Sequence, residues 1–458
     1  MSKLLSYSAH VRATVALGLP LIGGHVAQYA IGLGDTIMMG WYGVSELAAV
    51  SLAGSLFFTV FLFGCGFAWA VMPMVAAAEG AGDETAVRRS TRMGLWLSVI
   101  YAVLALPAML YAKPILKALG QTEEVAALGA EYLAVAGFGM LPALLVMVLK
   151  SYLAALERSR VVFWITVLAA ICNVFANYAL IFGHWGMPEL GIRGAAYGSV
   201  VTQCVSLLAA GIYAALALPE HSLFRRIWRA DWEMFGRVLR LGLPIGLTVL
   251  SEVTMFSASA VMMGWLGTET LAAHGIVITV SGGTFMVHMG LSNAGTIRAG
   301  QSFGRGDRAN LKRGARVVIA LSVVVALVTT AIFLTMPETI LNQFMEPDAA
   351  GRAQILAIGV GLFAVAGLFQ LADGAQAIAT GLLRGVQDTA MPMLIAALAY
   401  WGVGIPASYL LGFPFGLGGV GIWSGLVLGL AAAAVLLMWR FWTFGVASTT
   451  PGPRTAAA

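Results

Sequence analysis

Charge is scarce in this chain: Asp, Glu, Lys and Arg make up 10% of its 458 residues, against roughly 25% in a soluble domain. That scarcity excludes an ordinary water-soluble fold. Cysteine is scarcer still. Cys65, Cys172 and Cys204 are the three present, and all lie in apolar runs. They read as small hydrophobes, not as a disulfide or metal framework. The period-two alternation of a transmembrane β-barrel is missing. The glycine turns at Gly80–Gly82 and Gly304–Gly306 lack the P-loop pattern, so ATP is not an expected partner. No Asp-rich pair or Ser/His arrangement points to an enzyme. No signal peptide is expected, because the apolar stretch after Lys3 and Arg12 is too long and has no small-x-small cleavage site.

What is abundant is apolar length. Hydrophobic residues are 60% of the chain and the mean hydropathy is +0.88. Runs of about 20 residues, enough to cross a bilayer, recur throughout. The expected class is an all-α integral membrane protein with twelve spans, near 13–40, 46–77, 91–113, 124–150, 161–183, 194–217, 237–265, 270–301, 315–336, 351–383, 390–412 and 417–444. Pro20, Pro73, Pro142 and Pro244 fall inside spans. Each removes a backbone donor and predicts a bend, Pro20 and Pro244 at matching places in two spans.

The chain repeats itself at an offset of 224 residues. Leu17-Gly18-Leu19-Pro20 returns as Leu241-Gly242-Leu243-Pro244, and Met38-Met39-Gly40-Trp41 as Met262-Met263-Gly264-Trp265. Gly80, Gly82, Asp83, Arg89 and Arg92 return as Gly304, Gly306, Asp307, Arg313 and Arg316. The repeat predicts two pseudo-twofold-related lobes of six spans, 1–218 and 237–445. A cytoplasmic linker, 219–236, about which the lobes would rock, joins them, and a disordered tail, 446–458, follows. An even number of spans per lobe makes the repeat parallel.

Basic residues orient it. With both termini inside a cytoplasmic (inner) membrane, only Lys113, Lys117, Arg193 and Arg352 face outward, leaving 26 − 4 = 22 inside or at inner span ends. The basic balance thus needs no nucleic-acid partner. The lipid bilayer is the expected surrounding and a monomer the expected state.

Three carboxylates remain inside spans: Asp35, Glu252 and Asp373. None has Lys or Arg at helical i±3 or i±4 spacing. A charged carboxylate at membrane depth costs about 2.5–3.5 kcal/mol on insertion scales, so such residues line a cavity or bind a cation. Where the frames match, Asp35 faces Ser259 and Glu252 faces Gln28; with small gaps, Asp373 faces about Ala143. Shared residues read as architecture, and unshared acids as candidate chemistry. Asn173 and Asn177 are four apart and share a helix face. With Asp35 they form a candidate first-lobe cation site, to which Ser199 or Thr202 could add a hydroxyl. The same amides would equally serve as interhelical hydrogen bonds or hold a protonated Asp. Glu252 and Asp373 form the candidate second-lobe site: close together, they need a proton or a cation such as Na⁺ between them. No cofactor is expected beyond that coupling ion.

Other features have plain readings. The 21 methionines are mostly core filler. Trp41, Tyr42, Trp185 and Trp265 are interface anchors. His25, His274 and His288 are structural, with no second ligand at metal spacing.

Together, Leu17-Gly18-Leu19-Pro20, Gly34-Asp35-Thr36-Ile37-Met38-Met39-Gly40, Glu252-Val253-Thr254, Asp373-Gly374, Leu383-Arg384-Gly385-Val386-Gln387-Asp388-Thr389 and Tyr400-Trp401-Gly402-Val403-Gly404-Ile405-Pro406 resemble the multidrug and toxic compound extrusion (MATE) transporters of the NorM-like branch. The resemblance spans essentially the whole chain. It implies two six-helix lobes, export of cationic drugs or dyes in exchange for Na⁺ or H⁺, and coupling roles at Asp35, Asn173, Asn177, Glu252 and Asp373. One position departs: where such members can carry Tyr a turn before the Asp, this chain has Phe369. A lipid or glycan-lipid flippase is the alternative, but its cavity would be lined with basic residues.

Overall fold

The structure, a computed structural model, describes residues 4–346 and 351–449. Twelve long helices are present among them: α1 Tyr7–Tyr42, α2 Val44–Ala81, α3 Glu84–Leu110, α4 Glu123–Ala155, α5 Ser159–Phe182, α6 Gly191–Ala217, α7 Trp232–Trp265, α8 Thr268–Gly304, α9 Arg308–Thr335, α10 Arg352–Gly385, α11 Ala390–Gly412 and α12 Gly418–Ser448. All twelve are long and apolar enough to cross a membrane, and no strand occurs among the described residues. Several run past the expected spans. α1 starts at Tyr7 and not near residue 13, because its first turns are held by protein contacts described below.

The repeat is visible at the level of single hydrogen bonds. Gly82 and Gly306 take left-handed φ of 74° and 67° at the ends of α2 and α8. The next residues cap α3 and α9: Asp83 accepts from Ala86 N at 2.9 Å and Asp307 from Asn310 N at 3.0 Å. Two close helix approaches recur as well. A Cβ on Gly194 would lie 2.3 Å from the Leu180 carbonyl oxygen, and one on Gly421 would lie 2.4 Å from that of Leu411. These glycines permit backbone contact that a larger residue would block. In α11 and α12 the register widens into π-helical turns at Leu398–Gly404 and Phe441–Gly445. Such turns displace side chains from the regular helical face.

The chain forms two compact units, but the division is not in the 219–236 segment. One unit is Gly23–Gly246; the rest of the described residues form the other. The boundaries cut α1 and α7, each two residues past a proline (22 − 20 and 246 − 244). The first half of α7 therefore belongs with α1's second half and α2–α6, and the first half of α1 with the rest of α7 and α8–α12.

Repeated arginines explain this exchange. In the first unit, Arg89 of α3 grips Asp231 at the start of α7, with Nη2 at 3.0 Å from Oδ1, and also Glu233 at 3.0 Å. Arg92 donates to the carbonyls of Leu223 and Ser222, both at 2.7 Å, and to that of Arg225. Trp96 donates to the Ile227 carbonyl at 2.8 Å. The 219–236 segment is thus packed onto one unit instead of spanning the two. In the second unit, Arg313 donates to the Leu5 carbonyl at 2.8 Å and stacks over Tyr7. Arg316 donates to the Tyr7 hydroxyl at 3.1 Å. Tyr7 and Asp231 are 231 − 7 = 224 apart, the same offset as Arg89 and Arg313. Each repeat's arginine pair therefore holds the start of the other repeat's first helix or the segment that leads into it.

The tail departs from expectation at its start. Val446–Ser448 continue α12, and Val446 and Thr449 are buried. Arg308 accounts for this order by donating to the carbonyls of Thr449, at 2.8 Å, and Ala447. The rest of the expected tail, 450–458, lies outside the described residues. The cysteines are free. His288 Nδ1 pairs with Ser322 Oγ at 2.9 Å, and His274 Nδ1 accepts from Trp423 at 3.1 Å, as structural histidines do.

The Arg89–Asp231 pair is partly solvated, with side-chain exposures of 36% and 23%. A double-mutant cycle of Arg89→Ala and Asp231→Ala, read by thermal unfolding in detergent, is expected to give a coupling of about 1 kcal/mol. The hydrogen bond from Arg89 holds the Asp231 carboxyl below the usual carboxylate range. A depressed native pKa means the contribution is present above the unfolded carboxylate pKa and is lost as pH falls through the native one. The coupling should therefore persist at neutral pH and vanish in acid.

Candidate functional sites in the two units

In the Gly23–Gly246 unit the site rests on α1 and α5. Asp35 lies near the end of α1, and Asn173 and Asn177 lie one turn apart on α5, both buried. Asn177 Nδ2 donates to Asp35 Oδ1 at 2.6 Å and lies 3.4 Å from Asn173 Oδ1. Asn173 also interacts with the Asp35 side chain. The structure thus brings together three of the expected residues. Asn177 Oδ1 is buried without a hydrogen-bond partner, so the cluster offers an acceptor oxygen that nothing in the protein satisfies. Gly198 of α6 makes the space for it, since a Cβ there would sit 2.0 Å from that oxygen.

The two hydroxyl candidates differ. Thr202 is buried but donates to the Gly198 carbonyl of its own helix at 2.8 Å. Its proton is committed to the backbone and not to Asp35. Ser199 lies beside Tyr132 of α4, which in turn interacts with Asp35. Tyr132 and Gly198 were missed by sequence reasoning. Neither is polar enough or patterned enough to stand out without knowing which helices meet.

In the other unit, Glu252 of α7 and Asp373 of α10 lie within electrostatic range of each other. Asp373 is 4% exposed and its Oδ1 is buried without a partner. Among the described residues the Glu252 side chain makes no hydrogen bond or ion pair. Fully buried Tyr400, on the π-helical turn of α11, interacts with both carboxylates. Gln376 Nε2 donates to the Tyr400 hydroxyl at 2.7 Å and lies 3.3 Å from Thr380 Oγ1, while Gln376 Oε1 has no partner. Phe369 turns away into an aromatic cluster, 6.0 Å from Phe256 and 5.2 Å from Trp423 between ring centroids. It supplies no oxygen.

Three residues of this site went unread in the sequence: Gln376, Tyr400 and Arg384. Arg384 interacts electrostatically with Glu252 and Tyr400. A signal was present. Asp373, Gln376, Thr380 and Arg384 sit at i, i+3, i+7 and i+11 of an apolar helix, a polar stripe on one face. Arg384 falls among the 22 basic residues expected inside or at inner span ends, and it is 11 residues, 384 − 373, from the acid. Three helical turns return it to the same face.

No group of three or more His, Cys, Asp or Glu residues suited to a transition metal occurs among the described residues. Carboxylate, amide and hydroxyl oxygens suit a proton or a hard monovalent cation.

Comparison with known proteins decides the family. The MatE family model matches residues 20–179 and 244–410, its two segments starting 244 − 20 = 224 residues apart at Pro20 and Pro244. The chain belongs to the MATE family. Within it, the chain falls in the NorM-like branch. It is 46% identical to the "Probable multidrug resistance protein NorM" of Rhizobium meliloti (strain 1021), over 95% of this chain and 94% of that protein. It is 44% identical to the protein of the same name from Agrobacterium fabrum, with 95% and 94% covered. Among solved structures it superposes on a MOP superfamily transporter from Pyrococcus furiosus with a TM-score of 0.87 at 19% identity, 96% of each chain being covered. A eukaryotic MATE transporter matches with a TM-score of 0.85 at 18% identity, over 97% and 98% of the chains. These structures establish the shared twelve-helix fold. MATE proteins are transporters, and this chain is a multi-pass membrane protein of that kind and not an enzyme.

The cradle made by Gly198 can be tested. Gly198→Ala should push Asn177 off Asp35, removing a hydrogen bond to a carboxylate worth about 1.5–3 kcal/mol. The expected outcome is a roughly tenfold or greater loss of substrate efflux with normal expression. Efflux unchanged from wild type would show that the Asn177–Asp35 contact is dispensable.

Proposed function

We propose that this MATE protein is a multidrug efflux antiporter of the cytoplasmic membrane, with both termini inside. It exports amphiphilic organic cations in exchange for Na⁺ or H⁺. The observation that carries this reading is the state of the Glu252–Asp373 pair. Two carboxylates share a membrane-depth setting, and one buried Asp373 oxygen has no donor. Such a pair is stable when a proton or cation joins it and is destabilised when it is empty. A site with this property yields its ion only when another positive charge takes over the compensation, which is the requirement for exchange. The Asp35–Asn173–Asn177 cluster offers the other unit a second ion or substrate contact of the same chemistry.

Family membership supports transport of drugs, since the relatives are named as multidrug resistance proteins. The acidic character of the sites supports cationic substrates over lipid phosphates. Alternating access then requires the units to move, and the natural places for bending are the α1 and α7 boundaries beside Pro20 and Pro244. The 219–236 segment is held down by Arg92 and Trp96.

The test is efflux of a fluorescent lipophilic cation from proteoliposomes under Na⁺ and pH gradients imposed separately and together. At least one gradient should accelerate efflux, and Glu252→Gln or Asp373→Asn should abolish most of that acceleration. Efflux that ignores both gradients would rule out antiport. Full acceleration in both variants would rule out this pair as the coupling site.

A further inference from the structure

Three arginines on the segment between α6 and α7 have no anionic partner. Arg225, Arg226 and Arg229 are exposed, and their side chains make no hydrogen bond, ion pair or ring stack among the described residues. The acids that follow them are engaged elsewhere: Asp231 and Glu233 pair with Arg89, and Glu233 also with Arg237. Glu220, the remaining acid of the segment, stands five residues before Arg225 (225 − 220). Trp228 and Trp232 lie among the arginines, 74% and 69% exposed. The 219–236 segment contains no lysine.

The backbone beneath these side chains is fixed. Arg92 and Trp96 of α3 donate to the carbonyls of Ser222, Leu223, Arg225 and Ile227. His221 and Leu223 are buried, and His221 Nδ1 lies 2.6 Å from the Tyr152 hydroxyl of α4. Within the segment, Arg225 N donates to the Ser222 carbonyl and Arg229 N to that of Arg226, both at 3.1 Å. All of these bonds use the main chain of the segment or the His221 ring. The exposed arginine and Trp228 side chains hold none of it in place, so folding does not account for them. Arg226 has a φ of 59°, a region that glycine occupies at no steric cost, yet the position carries a long cation.

The segment joins two helices that are long and apolar enough to cross a membrane, so it lies at a membrane face. Tryptophan is favoured among lipid headgroups. A guanidinium fork matches phosphate oxygens in pairs, which a lysine does not. We propose that Arg225, Arg226 and Arg229, with Trp228 and Trp232 beside them, form a docking surface for anionic phospholipid headgroups. The proposal is independent of the antiport reading; in the orientation proposed above, the surface meets the cytoplasmic leaflet. The lipid is an anchor and not cargo, because the arginines lie outside the membrane-crossing helices.

Purified protein in detergent is mixed with equal amounts of dioleoylphosphatidylglycerol and dioleoylphosphatidylcholine and repurified, and its retained lipid is counted by mass spectrometry. Wild type should retain phosphatidylglycerol in preference. An arginine near a headgroup is worth about a fivefold factor. Arg225→Gln alone should therefore lower the ratio of the two lipids a few-fold. Arg225→Gln/Arg226→Gln/Arg229→Gln should lower it at least about tenfold, with an unfolding temperature near that of wild type. Trp228→Ala should reduce retention of both lipids and leave their ratio unchanged. Raised salt should erode the wild-type preference and barely alter that of the triple variant. Equal ratios in wild type and the triple variant, or a wild-type ratio indifferent to salt, would overturn the proposal. If the triple variant does not fold, the single variants and the salt series decide. Inorganic phosphate in excess, compared with chloride at the same ionic strength, separates the lipid from a free anion. Phosphatidylglycerol should withstand both salts alike; its selective displacement by phosphate would assign the arginines to a soluble anion and overturn the lipid surface.

Discussion

Unpaired charge in an apolar setting is the constraint on which this molecule turns. Each ionised carboxylate at membrane depth costs several kilocalories unless something compensates it. The protein does not compensate fully. Asp35 receives an amide from Asn177, Asp373 keeps one buried oxygen without a donor, and the Glu252 side chain has no hydrogen bond or ion pair among the described residues. A completed set of hydrogen bonds or a direct salt bridge would make these sites more stable and less able to exchange an ion. Under the proposed antiport, incomplete satisfaction is what leaves a place for a mobile positive charge.

The scaffold holding these sites is built by exchange between repeats. Arg89 and Arg92 hold the approach to α7, while Arg313 and Arg316 hold the approach to α1. Each unit thereby includes half of a helix whose other half belongs to the second unit. Asp35 and Glu252 lie on the far halves of those two divided helices, beyond Pro20 and Pro244. In the proposed antiport the acids thus sit on the elements whose bending would be felt most directly. The π-helical turn that carries Tyr400 into electrostatic range of the carboxylates is a further local irregularity at the candidate site.

Much of this was legible in one dimension. Apolar run length gave the class and the number of helices, because a bilayer demands about 20 residues per crossing. The 224-residue offset gave the two repeats, and in the structure it reappears in the capping bonds of Asp83 and Asp307. The expected acids were readable because a charge inside an apolar run is conspicuous whatever it contacts. Asn173 and Asn177 were readable because they share one helix face.

The sequence by itself determined which residues are costly in a membrane and which positions the two repeats share, since both are properties of composition and spacing. Only the tertiary structure decided which of them meet. Periodicity along one helix does not say which neighbour it faces, so Tyr132, Gly198, Tyr400 and Gln376 stayed hidden. Arg384 stayed hidden for a related reason: a span-end charge looks the same in the sequence whether or not the fold brings an acid such as Glu252 of α7 within electrostatic range of it. The unit boundaries were also a tertiary matter. Loop composition favours a division at 219–236, but packing is set by which surfaces the arginine pairs and glycine contacts hold together, and those cross the repeat boundary.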